Sequence, residues 1–306
     1  MQRYIFRRLL QALIMLFVVS TVVFALSRLT GNPVALLLTE YSSEEDKVRL
    51  TQELGFDKSL PEQYLIFISN ALRGDLGRSI RGERAPALSL VADRFPASAQ
   101  LAVVTVLVSL LIGVPLGVIT AVNKGTWIDA FGRIFALIGQ SAPVFWIGIV
   151  AMYVLSVQLR WLPSSGYGKP EQFVLPVFAL SWFTLAAFVR LTRSSMIESL
   201  ESEYIKLARI KGLSELKVVW KHALRNSLLP VITYSGIIFG RTIAGVVVVE
   251  TVFAWPGIGR LAYESVLGRD FPVLQAVVLV VATMFLLINL SVDILYAYID
   301  PRIRYS

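Results

Sequence analysis

The stretch Glu203-Tyr-Ile-Lys-Leu-Ala-Arg-Ile-Lys-Gly-Leu-Ser-Glu215, continued by Lys221-His-Ala-Leu-Arg-Asn-Ser-Leu-Leu-Pro230, decides how this chain is built. It is a basic, amphipathic helix–glycine–helix unit set between two long hydrophobic stretches. Ser202 stands where an N-cap belongs, and Glu203 puts a negative charge at the positive end of the helix. Tyr204, Ala208 and Gly212 recur every four residues and share one face, which ends in small residues that permit close approach by another chain. Lys206, Arg209 and Lys211 project around the rest. Gly212 is expected to stop the helix, because it adopts the left-handed conformation without steric cost. Ser214 is expected to cap a second helix in which Leu216, Val219, Trp220 and Ala223 follow the i, i+3, i+4, i+7 pattern. Pro230 is expected to open the next hydrophobic stretch. Such a unit suits a helix lying on anionic lipid or one docking a protein, and local physics does not choose between them.

Composition places the unit in a membrane protein. The chain has 306 residues, 56% hydrophobic and 16% charged, with a mean hydropathy of +0.67; soluble domains carry about a quarter charged residues. The net charge of +8 is then read as Lys and Arg at cytoplasmic membrane ends, and no nucleic-acid partner is expected. With no cysteine, disulfides, thiolate ligands and thiol nucleophiles are excluded.

Six stretches reach the ~20 apolar residues that a helix needs to cross a bilayer. They are Leu9–Leu26, Leu101–Val122, Ile134–Val157, Phe173–Arg190, Leu229–Phe253 and Val273–Tyr298. The predicted fold class is an all-α membrane protein with six transmembrane helices. The first stretch is longer than the apolar region of a secretory signal and is followed by no small-x-small cleavage site, so it reads as a retained helix. Arg3, Arg7 and Arg8 place the N-terminus in the cytoplasm, and six crossings return the C-terminus there. Lys124, Arg133, Arg190, Arg193, the basic residues of the 203–225 region, Arg302 and Arg304 then all fall inside.

The outer segment reads as a small helical cap. Ser42-Ser-Glu-Glu45 has the spacing of a capping box, with a helix running to Gly55. Pro61 suits the first turn of a second helix ending near Gly74, and Asp75-Leu-Gly-Arg-Ser79 reads as a turn back to the membrane. The expected organisation is 1–28 for the cytoplasmic N-terminus and first helix, 29–100 for the extracytoplasmic helical region, and 101–306 for a five-helix core.

In the fifth stretch Gly236, Gly240 and Ala244 form a small-x-x-x-small stripe suited to close helix packing. Arg241 lies beside it at mid-span, where a charge is costly and faces protein or water. It reads either as a pathway residue attracting an anionic group or as half of an ion pair between subunits. Glu250 and Asp293 lie nearer span ends and read as structural. Gly113, Pro115 and Gly117 are placed where they would bend the second stretch.

Several chemistries are excluded. There is no Gly-x-x-x-x-Gly-Lys-Ser/Thr phosphate loop, so the chain is expected to hydrolyse no ATP by itself. His222 is the single histidine and has no Cys or acidic neighbours at ligand spacing, so no metal site is expected. No nucleophile–base pair points to an intramembrane enzyme. The two halves lack the obvious repeat common in secondary transporters, which leaves an ATP-independent transporter as the weaker alternative.

The two segments of the 203–230 region resemble the cytoplasmic loop of bacterial ABC importer permeases of the peptide/nickel class. The likeness extends along the chain through Gly31-Asn-Pro33, Leu54-Gly-Phe-Asp57, Gln63-Tyr64, Arg73-Gly-Asp-Leu-Gly77, Trp161-Leu-Pro163, Val249-Glu-Thr-Val-Phe253, Trp255-Pro-Gly257, Arg269-Asp270, Val292-Asp293 and Asp300-Pro-Arg302. Their order and spacing together are specific. The resemblance implies a type I importer permease in the bacterial inner membrane, with a coupling loop at 194–228. In the family the short helix before the glycine sits in a groove on an ATP-binding subunit. This assigns coupling to Tyr204, Ala208, Arg209, Lys211, Gly212 and Leu213. The implied partners are a second homologous permease subunit, as a heterodimer, two ATP-binding subunits that hold ATP and Mg, an extracytoplasmic solute-binding protein, and membrane lipid. The family carries peptides, nickel or metal chelates, glutathione and opine-like compounds. With no metal cluster along the spans, a peptide or related organic solute is expected, and nickel or a metal chelate is the alternative. The chain departs from the family at Lys206 and Leu207, where Glu-Ala is frequent, at Ile210, where alanine is usual, and at Arg241, where an apolar or small residue is expected.

Overall fold

The computed structural model of the chain describes residues 2–29, 44–53 and 55–299. Gly31-Asn-Pro33, Ser42 of the expected capping box, Leu54, and Asp300 to Arg304 lie outside the described residues. Among the described residues the structure is helical, with one isolated bridge between Arg78 and Pro86. In chain order the helices are α1 (Gln2–Leu29), α2 (Glu44–Glu53), α3 (Leu60–Leu72), α4 (Ala87–Val122), α5 (Trp127–Ser141), α6 (Val144–Met152), α7 (Pro170–Leu200), α8 (Glu203–Ile210), α9 (Leu224–Gly245), α10 (Val247–Val252), α11 (Ile258–Leu267) and α12 (Phe271–Ile299).

Among the described residues, four helices are long and apolar enough to cross a membrane: Phe6–Leu29, Ala87–Val122, Pro170–Leu200 and Phe271–Val292. A fifth crossing is available if α5 and α6 with its following turns, which meet at a 97° bend, count as one span. The third apolar stretch is therefore broken where the sequence alone suggested a single rod. Pro143 explains the break: Ala142 before it is extended (ψ 133°), as a residue preceding proline prefers. The fifth stretch forms α9, which carries Arg225, Asn226 and Arg241 and, over its described residues, is not among the helices apolar enough to qualify. Pro230 lies inside α9 and does not open it.

The described residues fall into two compact units: residues up to Ser98 with Pro256–Leu290, and Ala99–Trp255 with Ser291–Ile299. In the first unit, α1 and α3 meet through Phe24, Tyr64 and Phe67, with Phe24 and Tyr64 ring centroids 5.3 Å apart. The Tyr64 hydroxyl shares hydrogen bonds with Ser20 and Thr21, each 2.9 Å. The turn after α3 forms as its sequence suggests: Gly77 N–H donates to Asp75 Oδ1 (2.9 Å). Asp270 then receives the Ser79 hydroxyl and the Ile80 amide (3.3 Å), and Arg81 Nε donates to the Gly268 carbonyl (2.7 Å).

In the second unit α7 is the hub against which α5, α6 and α9 pack. The glycines of α4 serve this packing. A Cβ at Gly113 would lie 2.9 Å from Phe188 Cβ, and one at Gly117 would lie 2.9 Å from the Val189 carbonyl. The helix runs unbroken through Pro115, and both glycines mark close approach to α7. Without a hydrophobic driving force in lipid, such small-residue contacts and interhelical hydrogen bonds hold the bundle; Ser109 and Thr184 supply one at 2.5 Å. At one end, Tyr167 and Phe173 set their edges against the fully buried Trp255, at 4.9 and 4.6 Å. Glu250 is fully buried in α10.

Candidate coupling surface and membrane path

The helix–glycine–helix unit folds where the sequence puts it. α8 ends at Ile210, and Gly212 takes a φ of +75°, the left-handed value that closes the helix. Ser202 and Ser214 hold extended N-cap conformations, but neither side chain caps an amide. Ser202 Oγ donates instead to the Ser199 carbonyl (2.5 Å). Beyond Ser214, Glu215–Lys217 leads through a π-helical segment, Val218–Ala223, directly into α9. The wider turn brings Val218, Val219 and Ala223 all inside.

The unit is seated on the ends of α4 and α7. Ile205, Ala208, Val218, Val219 and Ala223 form one buried cluster with Val118 and Ala121 of α4 and Met196 of α7, and Leu213 packs against it. The Ser199 hydroxyl donates to the Ala223 carbonyl (3.1 Å) and bonds the Tyr204 hydroxyl, fastening the start of α8 to the end of α7. Arg209 reaches across Gly212 to Glu215 with Nε at 2.8 Å and Nη2 at 3.3 Å. Lys206 pairs with Glu203 (2.7 Å).

These contacts correct the reading of the small-residue face. Ala208 is buried against the chain's own helices, where it leaves room for the α4 and α7 ends, and does not face outward. The outward side carries Lys206, Lys211 and Gly212 together with large apolar residues: Leu207 is 57%, Ile210 81% and Leu216 73% exposed.

Two ion pairs, not anticipated from sequence, brace this region. Asp129 at the start of α5, almost fully buried, receives Arg193 of α7 through Nε (2.6 Å) and Nη2 (2.9 Å), and accepts the Gly125 amide (3.0 Å). Lys124 reaches Glu201 at 2.7 Å, and its ammonium holds the Glu201 carboxyl below the usual carboxylate range. The signal was a lone acid between Lys124 and Arg133 in an otherwise basic turn.

In α9 the small-residue stripe is used within the chain. A Cβ at Gly236 would run into the Val292 side chain of α12, Gly240 is buried, and the Ala244 side chain lies outside the described residues. Arg241 is exposed, and among the described residues no carboxylate pairs with it.

The chain matches the family described as binding-protein-dependent transport system inner membrane component over residues 113–305, and its N-terminal counterpart over residues 1–102. It is 40% identical over 307 residues, covering 100% of both chains, to the glutathione transport system permease protein GsiC of Escherichia coli O6:H1 (strain CFT073). It is 35% identical over 334 residues, again covering 100% of both, to the dipeptide transport system permease protein DppB of Alkalihalophilus pseudofirmus. Among solved structures, the MetNI methionine ABC transporter in inward-facing conformations aligns with a TM-score of 0.58 at 17% identity, over 69% of this chain and 96% of that one. An amino acid ABC transporter aligns with a TM-score of 0.53 at 16% identity, over 70% and 94%. At those identities the likeness is one of fold. The full-length matches, together with the apolar helices and the seated helix–glycine–helix unit, identify a non-catalytic, multi-pass membrane subunit: the chain belongs to the binding-protein-dependent transport system inner membrane component family of ABC transporter permeases.

Proposed function

We propose that the chain forms half of the translocation pathway of an ATP-driven importer for a peptide or a related small organic solute such as glutathione, and that α8 carries force from separate ATPase subunits into the membrane helices. The observation that carries the coupling role is the contrast between the two sides of α8. Its inner side is locked to α4 and to Met196 of α7 through Ile205 and Ala208, while its outer side leaves Leu207 and Ile210 exposed beside Lys206, with Lys211 and Leu216 following it, also exposed. A push on that outer surface moves two long helices together. The substrate class follows from the relatives, a glutathione and a dipeptide permease.

The full reading has six crossings, with α9 as the fifth, and both termini in the cytoplasm. α9 tolerates its polar residues as a span if they face protein or water. A second homologous permease subunit completes the pathway, two ATP-binding subunits hold ATP and Mg, and an extracytoplasmic binding protein delivers the solute. The test is uptake of labelled dialanine and glutathione into vesicles holding the assembled transporter. ATP-dependent accumulation that stops when Ile210→Asp uncouples the ATPase is the expected result. Accumulation that continues without ATP overturns it in favour of a secondary transporter.

A further inference from the structure

The first unit contains a cavity of about 620 Å³ with polar and apolar walls. α1, α3, the loops flanking α3 and the start of α12 line it. Its walls hold three cations, Arg28, Lys58 and Arg78, against one acid, Asp75. Asp75 is already engaged by the Gly77 amide (2.9 Å). The balance of the cavity is therefore positive, which favours an anionic occupant.

Arg28 is the group that gives the cavity a chemistry. Its guanidinium carbon lies 4.0 Å from the Phe56 ring centroid and 4.9 Å from that of Phe24. Aromatic rings hold a cation but accept no in-plane hydrogen bond, so the planar fork of N–H donors remains to be satisfied. The Nε–H is buried and, among the described residues, without a partner. Gln63, which lines the same cavity and is 8% exposed, donates Nε2 to the Lys58 carbonyl (2.9 Å), and its Oε1 is buried with no partner among the described residues. A buried polar atom left without a hydrogen bond costs about 1–3 kcal/mol, and two of them on side chains that line one cavity point to a ligand. An acceptor pair for Arg28 and a donor for Gln63 are what the carboxylate end of a short peptide offers: two oxygens for the fork, and a backbone N–H nearby.

We infer that this cavity binds the carboxylate of a small peptide-like solute, with Arg28 as the recognising cation and Gln63 as the acceptor for its amide. Identifying the ligand as the transported solute rests on the importer reading above; the carboxylate chemistry does not. The lining residues are distant in sequence from Arg241 and from the coupling unit.

The test uses the full-length chain in phosphatidylcholine nanodiscs. The chain has no cysteine, so Asn70→Cys at the exposed cavity rim carries a single environment-sensitive fluorophore. Dialanine, dialanine amide and glutathione are titrated. The expected result is saturable binding of dialanine and glutathione, with the amide at least ten-fold weaker. Arg28→Gln should weaken dialanine at least ten-fold and erase its advantage over the amide, while Arg28→Lys keeps part of it. Equal binding of acid and amide, or no response to either peptide, overturns the inference. This comparison is made on the unaltered cavity and does not depend on how Arg28→Gln folds. A response seen only when the nanodisc contains phosphatidylglycerol assigns the cation to a lipid phosphate and also overturns it. ATP-driven uptake separates the two claims: uptake without acid-selective binding sinks the cavity alone, and acid-selective binding without uptake sinks the importer reading alone.

Discussion

Asp129 and Arg193, sixty-four residues apart, form a two-pronged ion pair that ties the turn between α4 and α5 to the last third of α7. The carboxylate is 2% and the guanidinium 21% exposed, so the pair is largely screened from water. Its position matters because α7 continues directly into the unit that holds α8. Together with Lys124 and Glu201, it makes the α4–α5 turn part of the same rigid end on which α8 sits.

Removing one partner of such a pair leaves the other charge buried and unmatched. Asp129→Asn is therefore expected to destabilise the chain by about 3 kcal/mol, the low end for buried pairs because Arg193 keeps some water contact. Arg193→Lys keeps the charge but loses the second hydrogen bond, and should cost less. Denaturation midpoints of the purified variants check both. A double-mutant cycle of Asp129→Ala and Arg193→Ala should give a coupling above about 1 kcal/mol; additive effects would mean the two residues act independently.

The inner and outer sides of α8 should respond to substitution in opposite ways. Ala208→Leu forces extra volume into the Val118–Met196–Val219 cluster and should cost about 1–3 kcal/mol of stability. Ile210→Asp lies at an exposed position and should leave stability unchanged while reducing recovery of co-expressed ATPase subunits at least ten-fold. Gly212→Ala meets open space, so its cost is confined to the left-handed backbone, about 1–2 kcal/mol. Full ATPase recovery with Ile210→Asp would place the docking surface elsewhere.

Orientation can be read from the same cysteine-free background. Ser214→Cys is expected to react with an impermeant thiol reagent only from the cytoplasmic side, and Asn70→Cys only from the opposite side. Both positions are exposed, so accessibility reports sidedness and not burial. Labelling of both from one side would break the six-crossing arrangement.

What was legible in the sequence follows the range of the forces involved. The helix stop at Gly212, the turn at Asp75–Gly77 and the helices starting near Glu44 and Pro61 are local, set by backbone preferences of a few neighbouring residues, and they appear where expected. The direction in which α8 faces is not local. Four-residue spacing put Tyr204, Ala208 and Gly212 on one face, but Val118, Ala121 and Met196, far away in sequence, decide which side is buried. Gly113 and Gly117 were ambiguous for the same reason: a glycine pair beside a proline suits a bend or a close contact, and only Phe188 and Val189 across the interface select contact. The break at Ala142-Pro143 was visible as a proline, yet averaging over a hydrophobic window passes through it. The Asp129–Arg193 pair joins the start of α5 to α7, sixty-four residues apart, which no spacing rule connects.

Arg241 gives the most direct test of the membrane path. It lies on α9, four residues before the helix ends at Gly245, exposed and with no carboxylate partner among the described residues. Facing lipid within the hydrocarbon core, an arginine costs up to about 2.5–3.5 kcal/mol on insertion scales, a cost the helix avoids if the side chain meets water or another subunit. The chain's own packing does not use it: Gly236 meets Val292 and Gly240 is buried, leaving Arg241 on the open side. Arg241→Ala should therefore reduce transport or assembly, and Arg241→Lys should retain part of the function because the charge remains. The two roles separate on one gel and one uptake assay. A pathway residue that attracts the solute's anionic group gives an intact complex with at least ten-fold lower uptake, whereas an ion pair across the subunit seam gives a complex that falls apart in detergent. Normal assembly and uptake in Arg241→Ala, with Arg241→Cys reacting with a lipid-soluble maleimide alone, would remove both roles and return the residue to the lipid face.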